Sequence, residues 1–448
     1  MAGIAGIATR GANVEVEAML DRIRYRGISG ISVFEANGNT VGLIWNESEI
    51  KGIRKNISEG NVAYNNGPGH FAVVKPGKKD IILYRDELGV APLYYASDKD
   101  GNLCFASEVK ALLPVTNEIK ELPPGHFLDN EGLNSFFRLK GLQTVEDDPG
   151  IIATDLLAHL DRAVSECIKS DDIGSWLSGG LDSSAICALA TKKIRRLKTF
   201  ASGFKGAPDL RYAKEMAQFI KSEHHEMIVT INDLIEKLPD VIYHLESFDA
   251  LLVRSSITNY LVAKLASDYV SEVFSGEGGD ELFAGYRYLK SIPQSGLENE
   301  LLRITVSLHN TAFQRVDRCA SAHGLVAHLV FANPDIVRYA FTIPAKYKIY
   351  NNTEKWILRQ AMKGLLPENI LYRPKVKFWE GAGVEGILKE YAERQITDNV
   401  FRKERKLSNG LIINSKEELF YYRIFKDHFG PDIDLSWMGR TRGSPVDM

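Results

Sequence analysis

One short stretch of this sequence combines glycines, hydroxyls and a carboxylate at a spacing suited to phosphate chemistry. Ser178-Gly-Gly-Leu-Asp-Ser-Ser184 follows an apolar run ending at Leu177 and leads into an alanine-rich stretch of helical character. Glycines at a strand-to-helix turn let backbone N–H groups approach an anion, and the helix start adds the positive end of its dipole, so phosphate is the expected guest. The stretch is not a Walker-type loop, because GxxxxGK[ST] occurs nowhere and no lysine follows the glycines. Hydroxyls, N–H groups and one carboxylate suit a pyrophosphate leaving group held with Mg²⁺. That implies attack at the α-phosphate and release of AMP plus pyrophosphate. A lone Gly-Gly turn would be an ordinary feature of a fold; seven specific residues in this context say more.

The elements that must position this loop can be read around it. Short apolar strands, Gly174–Leu177, Leu197–Ala201, His225–Val229 and Glu272–Phe274, alternate with helical stretches at 184–194, 210–221, 231–243 and 255–268, the pattern of a parallel α/β sheet. Before them, runs such as Ile31–Phe34, Val41–Ile44, Phe71–Val74, Ile81–Tyr84, Leu93–Tyr95 and Leu103–Phe105 are separated by turn residues. They predict an α+β unit on antiparallel sheets, ending between about 128 and 150. The division expected is 1–140, 150–400 and a C-terminal helical extension with a tail over 401–448. Beyond about 300 the chain reads as mostly helical, and Met438-Gly-Arg-Thr-Arg-Gly-Ser-Pro445 as a loose tail.

A length of 448 residues allows two or three domains. A net charge of −3 offers no basic surface for nucleic acid or anionic lipid. Four scattered cysteines, Cys104, Cys167, Cys187 and Cys319, form no CxxC pair, which fits a reducing cytoplasm. No apolar run approaches the roughly 18 residues that span a bilayer, and the first residues lack the charged and apolar regions of a secretory leader.

The loop Ser178–Ser184 resembles the pyrophosphate loop of the asparagine synthetase family, and further segments match in order. They include Lys198–Phe204 with Asp209, Tyr212-Ala213 and His224–Glu226; Ser275-Gly-Glu-Gly-Gly-Asp-Glu-Leu-Phe-Ala-Gly-Tyr286; Arg373-Pro-Lys-Val-Lys-Phe378 with Gly381; and, earlier, Arg26-Gly27, Arg85–Gly89, Pro92–Tyr95, Phe105–Leu112 and Leu122–His126. The resemblance implies a first domain like the N-terminal-nucleophile (Ntn) hydrolase sandwich of class II glutamine amidotransferases. It implies a second domain like the PP-loop ATP pyrophosphatases, of adenine nucleotide α-hydrolase type. Carried over residue by residue, Ser178, Gly179, Gly180, Asp182, Ser183 and Ser184 would hold the pyrophosphate of ATP, and Asp182 and Asp280 would share Mg²⁺. Leu177, Ser202 and Gly276 would lie by adenine and ribose, Glu277 by the reacting acyl group, and Lys375 by the developing negative charge. Arg254 is the candidate for binding an acidic substrate. The His224-His225 pair reads as structural and is assigned no metal. A homodimer is in keeping with the resemblance.

Several positions depart from the family. Ala2 stands where glutamine-using members carry a cysteine nucleophile. The His-Arg-Gly-Pro-Asp element becomes Tyr25-Arg-Gly-Ile-Ser29, the Asn-Gly-Glu-Ile-Tyr-Asn element is reduced to Val62–Asn66, and Pro68-Gly69-His70 replaces an Asp-Gly. In the second domain Val326, His328, Val330 and Asn333 replace Glu, Arg, Pro and Asp. The expectation is an ATP-dependent ligase that adenylates a carboxylate and passes it to ammonia or an amine without hydrolysing glutamine. Two alternatives stand beside it: an intramolecular amide cyclase like β-lactam synthetases or lasso-peptide cyclases, and a non-catalytic nucleotide-binding scaffold.

Overall fold

Apolar residues alternating along the first third of the chain build two antiparallel sheets. The computed structural model describes residues 2–49, 62–65, 68–77, 81–140, 142–376, 378–384 and 386–441. Among them one sheet has the order β2 (Gly30–Ala36), β3 (Asn39–Trp45), β1 (Gly3–Ile7), β8 (Leu103–Ala106), β7 (Tyr94–Ser97), β9 (Ile119–Glu121). The other has the order β11 (Gly132–Ser135), β10 (His126–Asp129), β6 (Ile81–Arg85), β5 (Phe71–Pro76), β4 (Val62–Asn65). Asn37-Gly38 closes the β2–β3 hairpin with both residues in the left-handed region, φ 51° and 89°, the turn whose twist matches that of paired strands.

Ile4, Val41 and Leu43 from the first sheet share a core with Ala72, Val74 and Leu83 from the second, so the two sheets pack as a sandwich. Ala5, Ile7 and Ile44 point the other way, onto Val16, Met19 and Leu20 of the helix Asn13–Asp21. With both faces covered, β1 is buried throughout and lacks the polar alternation that marks a half-exposed strand; this is why it did not read as a strand. The glutamine-element remnant Val62–Asn65 forms β4 against β5, while Asn66 lies outside the described residues.

The second sheet system is parallel throughout, in the order β14 (Glu223–Val229), β13 (Lys198–Phe204), β12 (Ile173–Trp176), β15 (Glu272–Ser275), β16 (Val326–Leu329). From β12 the chain moves outward through β13 and β14, crosses back by the helices Ile231–Leu245 and Ala250–Ser267, and resumes at β15 on the other side. The direction of winding therefore reverses between β12 and β15. In open parallel sheets the crevice beyond the carboxyl ends of the strands at such a reversal is where ligands bind. The loop Ser178–Ser184 follows β12, and Gly276–Asp280 follows β15.

The stretch beyond 300 is mostly helical, in keeping with its sequence, and also carries β16, which pairs with β15 and sets His328 opposite Phe274, and a short antiparallel hairpin over 349–354. One expectation is corrected. The segment beginning at Met438 is not loose as far as Thr441. Trp437 and Met438 are buried, the Thr441 amide donates to Asp249 Oδ2 at 3.0 Å, and Arg440 pairs with Glu418. Apolar contacts and a buried carboxylate hold a sequence whose composition alone reads as a solvated tail. Residues 442–448 lie outside the described set. No helix among the described residues is long and apolar enough to cross a membrane.

Candidate active site

The loop after β12 is shaped by Gly179, which has φ +69°; a Cβ there would run into the backbone of Tyr212 and Ala213. That close approach excludes any other residue at the turn. Ser178 Oγ lies 3.1 Å from Ser183 Oγ, and the Gly180 amide donates to Ser178 Oγ at 3.3 Å, closing the loop over the first turn of the helix Leu181–Ala190. Amides and hydroxyls thus converge where the helix dipole is positive.

The loop after β15 presses directly on this one. A Cβ on Gly276 would lie 2.7 Å from the Ser183 nitrogen, and one on Gly279 would lie 2.6 Å from Asp182 Oδ1. The glycines of Ser275–Tyr286 are therefore spacers that bring Asp280 to Asp182. Between the two carboxylates stands Lys355, with Nζ 2.5 Å from Asp182 Oδ2 and 2.5 Å from Asp280 Oδ1. Lys375 Nζ lies 2.5 Å from Asp280 Oδ2, so anions and cations alternate as Asp182, Lys355, Asp280, Lys375.

Burial alone would raise both carboxyls. Lys355 and Lys375 outweigh it at Asp280 and hold that group well below the usual carboxylate range. At Asp182 burial, only partly offset by Lys355, leaves the carboxyl raised. For Lys375, Asp280 and Asp182 overcome the effect of burial and keep the ammonium charged. Next to Asp280, Glu281 is pushed up to about 7 by burial and by its neighbour's charge; its Oε1 accepts from the Tyr286 hydroxyl at 2.5 Å.

Glu277 points to a different partner. Arg315, on the buried helix Ala312–Ser321, places Nη2 2.5 Å from Glu277 Oε1, and its Nη1 donates to Ser255 Oγ at 2.9 Å. Arg373 fixes the segment carrying Lys375: its Nη1 donates to the Ser178 carbonyl at 3.0 Å, it pairs with Asp209, and it stacks 4.1 Å over the Tyr212 ring. Of the remaining sequence candidates, Leu177 and Gly276 immediately follow β12 and β15 and lie at the crevice. Ser202 sits within β13, with its hydroxyl donating to the Thr258 carbonyl at 2.9 Å. Lys377 and the Phe378 side chain of the Arg373–Phe378 element lie outside the described residues.

The structure gives Arg254, the candidate for an acidic substrate, a partner within the protein. Its guanidinium forms a two-point pair with Glu417, Nε to Oε1 at 3.1 Å and Nη2 to Oε2 at 2.5 Å, which ties helix Ala250–Ser267 to the C-terminal helix Lys416–Phe429. A bidentate pair with a buried carboxylate holds the two helices together by charge-assisted hydrogen bonds. Arg315, which lies in none of the motifs read from the sequence, is the arginine the fold brings to Glu277. Lys355 also lacked a sequence signal; it lies between the short strand Thr353–Glu354 and the helix Trp356–Ala361 with a left-handed backbone, φ 53°.

The two sheet systems meet at a buried network of six charges. Arg26 pairs with Glu108 at 2.6 Å and, through both terminal nitrogens, with Asp317 at 2.8 and 2.9 Å. Arg318 pairs with Glu246 at 3.0 Å and Asp317 at 3.1 Å. Lys110 pairs with Glu246 at 3.0 Å and also with Glu108. Burial opposes ionisation of Glu108, but Arg318, Lys110 and Arg26 hold it well below its ordinary value. The Tyr25 hydroxyl donates to the same carboxylate. Ala2 is buried beside this network, its amide donating to Glu49 Oε1 at 2.8 Å and its carbonyl accepting from Arg26 Nε at 3.2 Å.

An antiparallel sandwich joined to a parallel sheet, with a phosphate-type loop and two carboxylates at the sheet's winding reversal, defines a nucleotide-using class of two-part enzyme. The asparagine synthase family model matches residues 155–303 and 292–439, and a glutamine amidotransferase domain model matches residues 55–149. A probable asparagine synthetase of Schizosaccharomyces pombe, described as glutamine-hydrolysing, is 32% identical over 413 residues, covering 83% of this chain and 74% of that one. Asparagine synthetase B of Escherichia coli, also described as glutamine-hydrolysing, is 34% identical over 383 residues, covering 80% and 69%. Among solved structures, an NMN synthetase from Francisella tularensis aligns with a TM-score of 0.30 at 13% identity, over 65% of this chain and 99% of that one. The chain belongs to the asparagine synthase family and is an ATP-dependent carbon–nitrogen ligase of the asparagine synthetase type.

Proposed function

We propose that this ligase adenylates a carboxylate, releases pyrophosphate, and transfers the acyl group to ammonia or an amine without hydrolysing glutamine. The observation that carries the reading is the alternating run Asp182, Lys355, Asp280, Lys375 set beside the Ser178–Ser184 amides and hydroxyls at one crevice. In the first step a carboxylate oxygen of the substrate bonds to the α-phosphorus of ATP as the bond to the bridging oxygen of pyrophosphate breaks. The loop amides and the hydroxyls of Ser178, Ser183 and Ser184 would donate to the leaving group, and the Lys375 ammonium would stabilise charge on the phosphoryl oxygens. In the second step the amine nitrogen bonds to the acyl carbon, AMP departs, and a proton must leave the nitrogen. Glu277, held by Arg315, would orient that nucleophile and take its proton.

Asp182 and Asp280 fit Mg²⁺. Hard carboxylate oxygens completed by phosphate and water are what the ion takes, and Asp182 Oδ1 is buried with no hydrogen-bond partner among the described residues. Bound there, Mg²⁺ would neutralise phosphate charge.

Support for an inactive first domain is local. Alanine at position 2 has no nucleophile, and the tyrosine and arginine that follow the helix Asn13–Asp21 are committed to the Glu108 network rather than lining a pocket. The test is exchange of labelled pyrophosphate into ATP across a panel of carboxylates. Exchange with aspartate and ammonia-dependent asparagine formation is the expected result for simple transfer. Exchange only with a β-amino acid or a peptide would instead mean ring closure, and no exchange with any acid would overturn the reading. Asp182→Asn should abolish the exchange.

A further inference from the structure

Beside Lys375 lies a cavity of about 340 Å³, whose lining includes Gly285, Arg287, Lys290, Glu354, Arg359 and Lys375. Its size falls at the small end of the range for small-molecule sites, about 300–1,000 Å³. Three segments build it. The helical turn Arg287–Ser291 forms one wall, and the segment around Pro374 another. The third wall is the hairpin of β17 (Ile349–Tyr350) and β18 (Thr353–Glu354), whose turn residues Asn351 and Asn352 both have positive φ, 45° and 59°, the tight turn geometry that asparagine tolerates.

The lining is cationic. Glu354, its one carboxylate, is already bracketed by Lys290 at 2.6 Å and Arg359 at 3.0 Å. Arg287 is exposed and has no hydrogen-bond or ion-pair partner among the described residues. The Lys375 side chain is about one-third exposed, 31%, so one ammonium borders both this cavity and Asp280. The partition from the carboxylate pair is a single glycine thick: a Cβ on Gly285 would collide with the Asp280 carboxylate and with Lys355 Cε. Glu277, Arg315 and Ser255, where the acyl chemistry is placed, do not line it. The cavity therefore adjoins the phosphate end of the site.

We propose that this cavity is an anion subsite that receives the pyrophosphate leaving group beyond Lys375, with Arg287 as its principal free donor; the identity of the anion rests on the adenylate-forming reading above. A guanidinium offers paired donors to phosphate oxygens, and such charge-assisted contacts are among the stronger hydrogen bonds. No bond is made or broken there. Binding competes with rebinding at the loop and draws the product away from the α-phosphate.

The test is calorimetric binding of inorganic pyrophosphate to the full-length protein with the Ser178–Ser184 loop filled by saturating ATP, and separately of ATP alone, in the parent and in its Arg287→Ala and Arg287→Lys variants. The exposed side chain makes misfolding of these variants no obstacle. Arg287→Ala should weaken pyrophosphate about tenfold, Arg287→Lys about threefold or less, and neither should change ATP binding. Unchanged pyrophosphate affinity in Arg287→Ala would overturn the proposal, as would equal losses for pyrophosphate and ATP. Selective loss of pyrophosphate binding in a protein that shows no pyrophosphate exchange would uphold the subsite and refute the adenylating function.

Discussion

Replacing Lys355 by methionine tests the electrostatic core of the site. The lysine is almost fully buried, and its Nζ is the shared partner of Asp182 and Asp280, 2.5 Å from each. Removing one member of a buried ion pair costs about 3–5 kcal/mol, because the partner is left charged and unsolvated. Here the two carboxylates are not equally exposed to that loss. Asp280 keeps Lys375 at 2.5 Å, whereas among the described residues Asp182 keeps only the more distant field of Lys375, so most of the penalty falls on Asp182. Lys355→Met should therefore lower stability by about 3–5 kcal/mol in Mg²⁺-free buffer, measured by urea unfolding. Adding Asp182→Asn should restore at least half of it. Mg²⁺ should stabilise the single variant more than the parent, because an ion that binds only the folded chain adds to its stability. An unchanged unfolding midpoint in Lys355→Met, or an Asp182→Asn change that adds to the loss, would refute the reasoning.

Other expectations follow from particular pairs. Although burial acts against it, Cys167 and the Glu272 carboxylate 2.5 Å from Nε2 raise His328 to about 10. A histidine raised from about 6.5 in the unfolded chain stabilises fully below pH 6.5 and loses that contribution as pH rises toward 10. Thermal unfolding across this window should show a loss of about 2–4 kcal/mol that is absent in His328→Gln; parallel profiles would contradict it. Arg26→Ala strips the buried Glu108 and Asp317 of a shared partner and should cost about 3–5 kcal/mol in denaturant unfolding, and a loss under about 1 kcal/mol would show the network to be slack. Arg254→Ala should lower stability through Glu417 while leaving the KM for the carboxylate unchanged. A tenfold rise in that KM would return Arg254 to the substrate pocket.

Much of the site was legible because its loops are local. Glycines, hydroxyls and Asp182 sit within seven residues after a strand, and Glu277 and Asp280 lie within four residues of each other after another. The reversal of winding that sets those loops side by side depends on β13 and β14 lying to one side of β12 and β15 to the other, a long-range choice that no window of sequence contains. Lys355 and Arg315 were invisible for a related reason: a lone cation acquires its role only when tertiary packing delivers it to a carboxylate. The pairing of Arg254 with a carboxylate of the helix Lys416–Phe429 was likewise hidden, because the two residues lie 163 positions apart. The β1 strand and the packed stretch Trp437–Thr441 escaped because both faces of one and the apolar anchors of the other are covered by elements distant in sequence.

The central claim is that the amide nitrogen does not come from glutamine. Its most direct test is to supply ATP and a carboxylate that supports pyrophosphate exchange, with ¹⁵N-ammonia or amide-¹⁵N-glutamine as the nitrogen source, and to follow label in the product and release of glutamate. Label from ammonia, with neither label nor glutamate from glutamine, is the expected result. Release of glutamate would contradict the account.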